Sequence, residues 1–218
     1  MKPSTVSSTE FILARHGETE WNTRGVMQGH LDSPLTPTGI EQAQILGRRI
    51  ARIRPDHIYS SDLGRAHETA KIITRYYPKP IHLEPGLREK NIGIFQSHDW
   101  RTIKQKFADV YRDFAAADPD YAIPDGESYN QFIRRLVTAL EQIAVRHPGE
   151  QILIVSHGGI VSAFFRHILG IPLSAPRRYR LKNTSITRII LENGEWFLDT
   201  FGDTSHLEGA VESHDDIV

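Results

Sequence analysis

Two histidines stand in similar settings, Arg15-His16-Gly17 and Ser156-His157-Gly158, each closing a short apolar run: Glu10 to Ala14 (EFILA) and Gln151 to Val155 (QILIV). Apolar runs of this length read as strands buried on both faces, and such strands lie parallel in a sheet covered by helices. Parallel strands deliver their carboxyl ends to one edge, so both imidazoles arrive there together. A third run, His57-Ile58-Tyr59-Ser60-Ser61, stops just before Asp62-Leu63-Gly64-Arg65 and brings a second arginine to the same edge. His16, His157, Arg15 and Arg65 then share one place. Such a set repels metal cations and suits a dianionic phosphate, whose oxygens planar arginine donors bind in pairs. Phosphoryl transfer spreads charge over those oxygens in its transition state, and fixed positive donors stabilise it.

The elements that must position these residues alternate in type. Thr36-Pro37-Thr38-Gly39 offers a cap to a helix over Ile40 to Ile53, whose apolar residues Ile40, Ala43, Leu46, Ile50 and Ile53 recur at helical spacing. Asp62 to Tyr77 repeats the pattern, and Ile81 to Leu83 is a candidate third strand. A more polar helical region spans about Asp99 to Ala117, then a turn-rich break leads to a long amphipathic helix over Glu127 to Arg146, with Ser128 as a cap. Ile160 to Leu169 reads as helix, and Ser185 to Leu191 with Glu195 to Phe201, joined through Asn193-Gly194, as a hairpin. The expected fold is a three-layer α/β/α sandwich with a mostly parallel central sheet and a C-terminal antiparallel hairpin. Ligands belong at its strand carboxyl ends. Residues 1–9 are expected to be a flexible segment, 10–205 a single catalytic domain, and 206–218 a mobile acidic tail.

Composition narrows the function classes. The 218 residues are 39% hydrophobic and 24% charged, the balance of an ordinary globular chain, and the formal net charge of −1 gives no broad basic field for nucleic acid. An anionic ligand must therefore be met by local arginines in a small site. The chain has no cysteine, which removes thiolate nucleophiles and thiolate metal sites and favours a reducing, cytoplasmic setting. Met1 to Glu10 is polar and rich in Ser and Thr, so no export is expected, and no stretch approaches the roughly 20 apolar residues of a membrane span. Neither a nucleic acid nor a membrane partner is expected.

Beyond the clustered residues, Phe11-Ile12-Leu13-Ala14-Arg15-His16-Gly17-Glu18-Thr19-Glu20-Trp21-Asn22 resembles the signature of the histidine phosphatase, or phosphoglycerate mutase-like, superfamily. The resemblance continues in order through Gln28 to Thr36, Tyr59 to Ala70, Leu87-Arg88-Glu89, Gly126-Glu127-Ser128 and Val155 to Gly159. It covers about residue 10 to residue 205. It implies that His16 attacks phosphorus to form a phosphohistidine, that Arg15, Arg65 and His157 hold the transferring oxygens, and that Glu89 is the acid that protonates the leaving group and then activates water. Asn22, Gln28, Gly29 and Gly158 are expected to contact substrate. No metal and no cofactor are expected. After the acid, Gly93-Ile94-Phe95-Gln96-Ser97 departs from the Gly-x-x-Glu-Gly of many relatives, and the arginine pair and insertion typical of cofactor-dependent glycolytic mutases are absent. The resemblance thus implies a compact phosphatase acting on a small phosphorylated metabolite. A bisphosphoglycerate-dependent phosphoglycerate mutase is the alternative, and a non-catalytic phospholigand-binding protein is the alternative from another class.

Each residue also has an ordinary structural reading. A strand-end histidine commonly packs, and an arginine opening a helix commonly pairs with a nearby carboxylate, here Glu68 or Asp62. Gln28 could reach a ligand or only order its loop. Trp100, Phe107 and Tyr111 could line a specificity pocket or form an ordinary apolar helix face, the face being the simpler reading, and His30, His57, His67, His98, His147, His167 and His206 read as surface or core residues. Other chemistries fit poorly: Ile154-Val155-Ser156-His157-Gly158 lacks the first glycine of a nucleophile elbow, no phosphate-binding Gly-Lys-Ser/Thr loop occurs, and arginines flank the histidines a zinc hydrolase would use.

Overall fold

The computed structural model describes residues 8–209, so the rest of the N-terminal segment expected to be flexible and of the tail expected to be mobile lies outside the described residues. Strands β1 (Thr9–Arg15), β2 (His57–Ser60), β3 (Ile81–Leu83), β4 (Gln151–Ser156), β5 (Ile186–Glu192) and β6 (Glu195–Asp203) form one six-stranded sheet in the order β3-β2-β4-β1-β5-β6. The pairs β3-β2, β2-β4 and β4-β1 are parallel, while β5 and β6 add antiparallel at the β1 edge. β1 and β4 run in register from Glu10 opposite Gln151 to Arg15 opposite Ser156. The next residue of each strand is therefore a histidine, and the two rings leave the sheet side by side.

The apolar runs are continuous because both faces are covered. Ile12, Ala14, Ile58, Leu153 and Val155 pack beneath helices α2 (Pro37–Ile53) and α3 (Gly64–Thr74). Phe11, Leu13, Tyr59, Ile152 and Ile154 face the other way, against α6 (Tyr129–Arg146) and α7 (Gly158–Ile168). The chain also forms short helices α1 (Glu20–Thr23), α4 (Trp100–Lys106) and α5 (Ala108–Ala115). A separate small core of Ile92, Phe95, Ile103 and Ile123, backed by Met27, Trp100 and Phe114, roofs the carboxyl end of the sheet. Among the described residues no helix is long and apolar enough to cross a membrane.

Several boundaries differ from those expected, each for a local reason. The first apolar helix starts at Pro37, the position where a missing N–H costs nothing, with the Thr36 hydroxyl accepting from Gly39 N at 2.9 Å. The polar region 99–117 is two helices, broken where Phe107 leaves helical geometry and turns its ring toward Phe95 and His98. The last helix begins at Gly158 rather than Ile160, which puts two glycine N–H groups at its open first turn. Ser128 caps α6 as expected, in a reciprocal box with Gln131. Thr9, expected in the flexible segment, is the buried first residue of β1. The tail is ordered past residue 206: Ser205–Leu207 is a 3₁₀ turn with Leu207 buried, and Arg49 of α2 donates to Ser205 Oγ at 3.1 Å and pairs with Asp203.

Candidate active site

At the carboxyl ends of β1, β2 and β4 lies a cavity of about 900 Å³. Of the nine expected site residues, Arg15, His16, Asn22, Gln28, Gly29, Glu89 and Gly158 line it. Arg65 and His157 stand just behind, 2% and 0% exposed.

His16 leaves β1 with its backbone N–H on Ser156 O (2.9 Å), and its carbonyl accepts from the Asn183 side-chain amide (3.0 Å). Its Nδ1 is 2.7 Å from Gly17 O. A carbonyl can only accept, so Nδ1 carries the proton and Nε2 keeps its lone pair. Burial, with the positive charges of Arg65 and Arg15, holds this imidazole well below the usual histidine range, against the opposing pull of the Gly17 bond. The ring is thus neutral at pH 7, in the tautomer a nucleophile needs.

His157 follows β4, its ring centroid 5.4 Å from that of His16. Its Nε2 lies 2.8 Å from Ser61 Oγ, whose other contact is a bond accepted from Leu63 N at 3.3 Å. The serine proton is therefore free for Nε2, which puts the ring's own proton on Nδ1. That atom is buried and has no hydrogen-bond partner among the described residues, as expected of a donor kept for a ligand oxygen. Burial, then Arg65, then His16, Arg135 and Arg15, push His157 well below its usual range too, so it donates as a neutral imidazole.

The two guanidiniums are fixed by carbonyls. Arg15 donates to Leu181 O, and Arg65 donates to Gly29 O, Leu31 O and Asp32 Oδ1, each at 2.8 Å. The carboxylate that meets Arg65 is Asp32, which also accepts from Gly64 N (2.7 Å), rather than Glu68 or Asp62. Asp62 instead holds Arg88, at 2.7 Å. Gly29, expected to contact substrate, also serves Arg65 through its carbonyl; its φ of 54° and the wall of Gln96 and Ile92 leave no room for a Cβ. Gln28 lines the cavity, and its side-chain amide donates to Thr19 Oγ1 at 2.9 Å. Asn22 closes the capping box of α1 with Thr19 and lines the cavity.

Glu89 reaches the site from the loop after β3. Lys90 N donates to its Oε1 at 2.7 Å and Gly159 N, in the first turn of α7, to its Oε2 at 2.9 Å. A helix amino end favours such a carboxylate. The approach is so close that a Cβ on Gly159 would sit 2.0 Å from Glu89 Oε1.

Sequence reading missed the supports. His30 donates from Nε2 to Glu89 O (2.8 Å), and Arg135 of α6 donates to Gly86 O, Arg88 O and Glu89 O at 2.9, 2.8 and 2.7 Å. Asn183, Ser61 and Asp32 complete the frame. Trp100, read as part of a helix face, lines the cavity with Phe95 and Phe114, while Lys90, Arg24, Arg101 and Arg177 add positive charge to its rim. Ser156 is no nucleophile: it is fully buried and its hydroxyl donates to Leu87 O at 2.8 Å.

Comparison with known proteins agrees with this geometry. The model of the histidine phosphatase superfamily (branch 1) matches residues 11–204. The chain is 37% identical over 203 residues to the metal-independent phosphoserine phosphatase of Arabidopsis thaliana, across 91% of this chain and 83% of that protein. It is 38% identical over 204 residues to the "Probable phosphoglycerate mutase GpmB" of Cronobacter sakazakii, across 91% and 95% of the two. Among solved structures, Bacillus stearothermophilus YhfR superposes with a TM-score of 0.83 at 36% identity, covering 92% of this chain and all of that one. The matched span takes in every residue of the cluster from Arg15 to Asn183, and the chain belongs to the histidine phosphatase superfamily, branch 1.

Proposed function

We propose that the protein is a metal-independent phosphatase that hydrolyses a small phosphorylated metabolite through a phosphohistidine at His16. The observation that carries this reading is the single bond from His16 Nδ1 to Gly17 O, which leaves Nε2 unprotonated at the cavity beside two arginines. Nε2 attacks phosphorus, the ester P–O bond breaks, and Glu89, as the acid, passes a proton to the leaving oxygen. Arg15, Arg65 and His157 Nδ1–H meet the three equatorial oxygens, where charge spreads. Asn22, Gln28, Gly29 and Gly158 shape the substrate end of the site. In the second half, water attacks the phosphohistidine while the Glu89 carboxylate takes its proton, which frees phosphate and restores His16. The cysteine-free composition supports a cytoplasmic setting.

The test is hydrolysis of an aryl phosphate in excess EDTA together with acid-labile labelling from a radioactive phosphoester. Full activity in chelator and a label absent from His16→Ala are expected; activity lost to EDTA removes the proposal. A second reading, phosphoglycerate mutase, is favoured by the likeness to the relative of that name. It predicts conversion of 3-phosphoglycerate to 2-phosphoglycerate that depends on the bisphosphate and outpaces hydrolysis.

A further inference from the structure

At the opposite end of the sheet, three side chains far apart in sequence converge. His57 opens β2, His147 caps the carboxyl end of α6, and Glu150 directly precedes β4. His57 Nε2 and His147 Nδ1 lie 2.9 and 3.1 Å from one oxygen, Glu150 Oε2. All three donor atoms fall within 4.8 Å of one another, and the two imidazole centroids are 3.7 Å apart. Three ligands of a tetrahedral ion with bonds near 2.0–2.1 Å lie about 3.3 Å apart, so the two spacings to Glu150 Oε2 are close to those of a coordination face.

The surroundings are built for ligation in two further respects. Metal-bound histidines use their second nitrogen in a hydrogen bond that fixes the ring, and His147 Nε2 is 2.9 Å from the hydroxyl of buried Tyr59. The backbone is pinned as well: Thr9 Oγ1 donates to His147 O at 3.1 Å, Glu10 N to Glu150 O at 3.1 Å, and Asp56 N to Gln151 O at 2.8 Å. The side chains of His57 and Glu150 are 29% and 42% exposed, which leaves room for a water as a further ligand.

We propose that His57, His147 and Glu150 form a binding site for a divalent transition-metal ion of the zinc class. Two imidazole nitrogens and one carboxylate oxygen suit Zn²⁺, Co²⁺, Ni²⁺ or Cu²⁺, and offer too few oxygens for Ca²⁺ or Mg²⁺. β4 runs from Gln151 to Ser156 between Glu150 and His157, which separates this site from the phosphate cavity by roughly 20 Å. The ion clamps β2 to the turn between α6 and β4 and takes no part in phosphoryl transfer.

The test uses the full chain, free of any affinity tag, stripped with EDTA and desalted. Calorimetric titration with Zn²⁺ gives one equivalent bound, and a hundredfold excess over Kd raises Tm by about 5 °C, a shift Mg²⁺ does not produce. His57→Ala and His147→Ala each lose the uptake and the shift, whereas His167→Ala, at an exposed histidine of α7, keeps both. If a variant does not fold, Cu²⁺ bound to the unsubstituted protein still decides, since its paramagnetic spectrum must show two nitrogen ligands. No stoichiometric uptake at micromolar Zn²⁺, uptake that survives both substitutions, or a copper spectrum without two nitrogens overturns the site. Phosphatase activity in EDTA is unaffected in either case, so the outcome is independent of the proposed catalytic reading.

Discussion

Glu89 is held by two backbone N–H groups and a glycine without which it could not sit where it does. Glu89→Gln keeps the shape and removes the proton, so kcat on alkyl phosphates should fall by roughly 10²–10⁴, and much less on aryl phosphates whose leaving group needs no acid. Gly159→Ala should produce the same selective loss, because its methyl group can enter only by displacing the carboxylate. Equal losses on both substrate types would remove Glu89 from the acid role. The buried histidines make a separate prediction. Unfolded, each binds a proton as pH falls through 6.5; folded, His16 and His157 stay neutral well below that. Their stabilising share is complete above 6.5 and is lost progressively as pH falls below it. Urea midpoints between pH 6.5 and 5 should fall accordingly, and His157→Asn should remove one such share of the slope. At this scale the sequence was informative where chemistry and position coincide, as for His16 and His157 at strand ends. It was silent on Asp32, His30 and Asn183, whose partners are 33, 59 and 167 residues away.

Elements place these groups through their ends. β1 and β4 were legible because unbroken apolar runs arise only when both faces are covered, and that burial also fixes their register. Short elements were less legible: α4 and α5 read only as a polar helical region because that composition hides the inward turn at Phe107, and the early start of α7 rests on two glycines that sequence periodicity cannot assign. The loop carrying Glu89 is tied to α6 at Arg135, which spans three carbonyls and pairs with Glu127 at 2.7 Å. A lysine cannot reproduce that fork. Arg135→Lys should therefore lower kcat on alkyl phosphates several-fold more than on aryl phosphates, with a smaller change in KM. A uniform loss across both substrates would mean that Arg135 supports only the fold and does not position the acid.

Across the whole molecule, two kinds of core divide the work. The sheet and its flanking helices bury the strand residues on both sides, while the small roof of Ile92, Phe95, Ile103 and Ile123 packs its own cluster above the cavity. Leu140, fully buried under the sheet, and Ile103, fully buried in the roof, allow the division to be measured. Leu140→Ala opens a cavity in the main core and should cost about 2–5 kcal/mol of global stability, with KM for a phosphoester nearly unchanged. Ile103→Ala removes a comparable side chain from a layer resting on two short helices. It should loosen α4 and α5 locally, raising KM and speeding their amide exchange while the amides of β4 keep their protection. If exchange in β4 accelerates as much as in α5, the roof is one cooperative unit with the sheet, and substrate entry cannot depend on its separate opening.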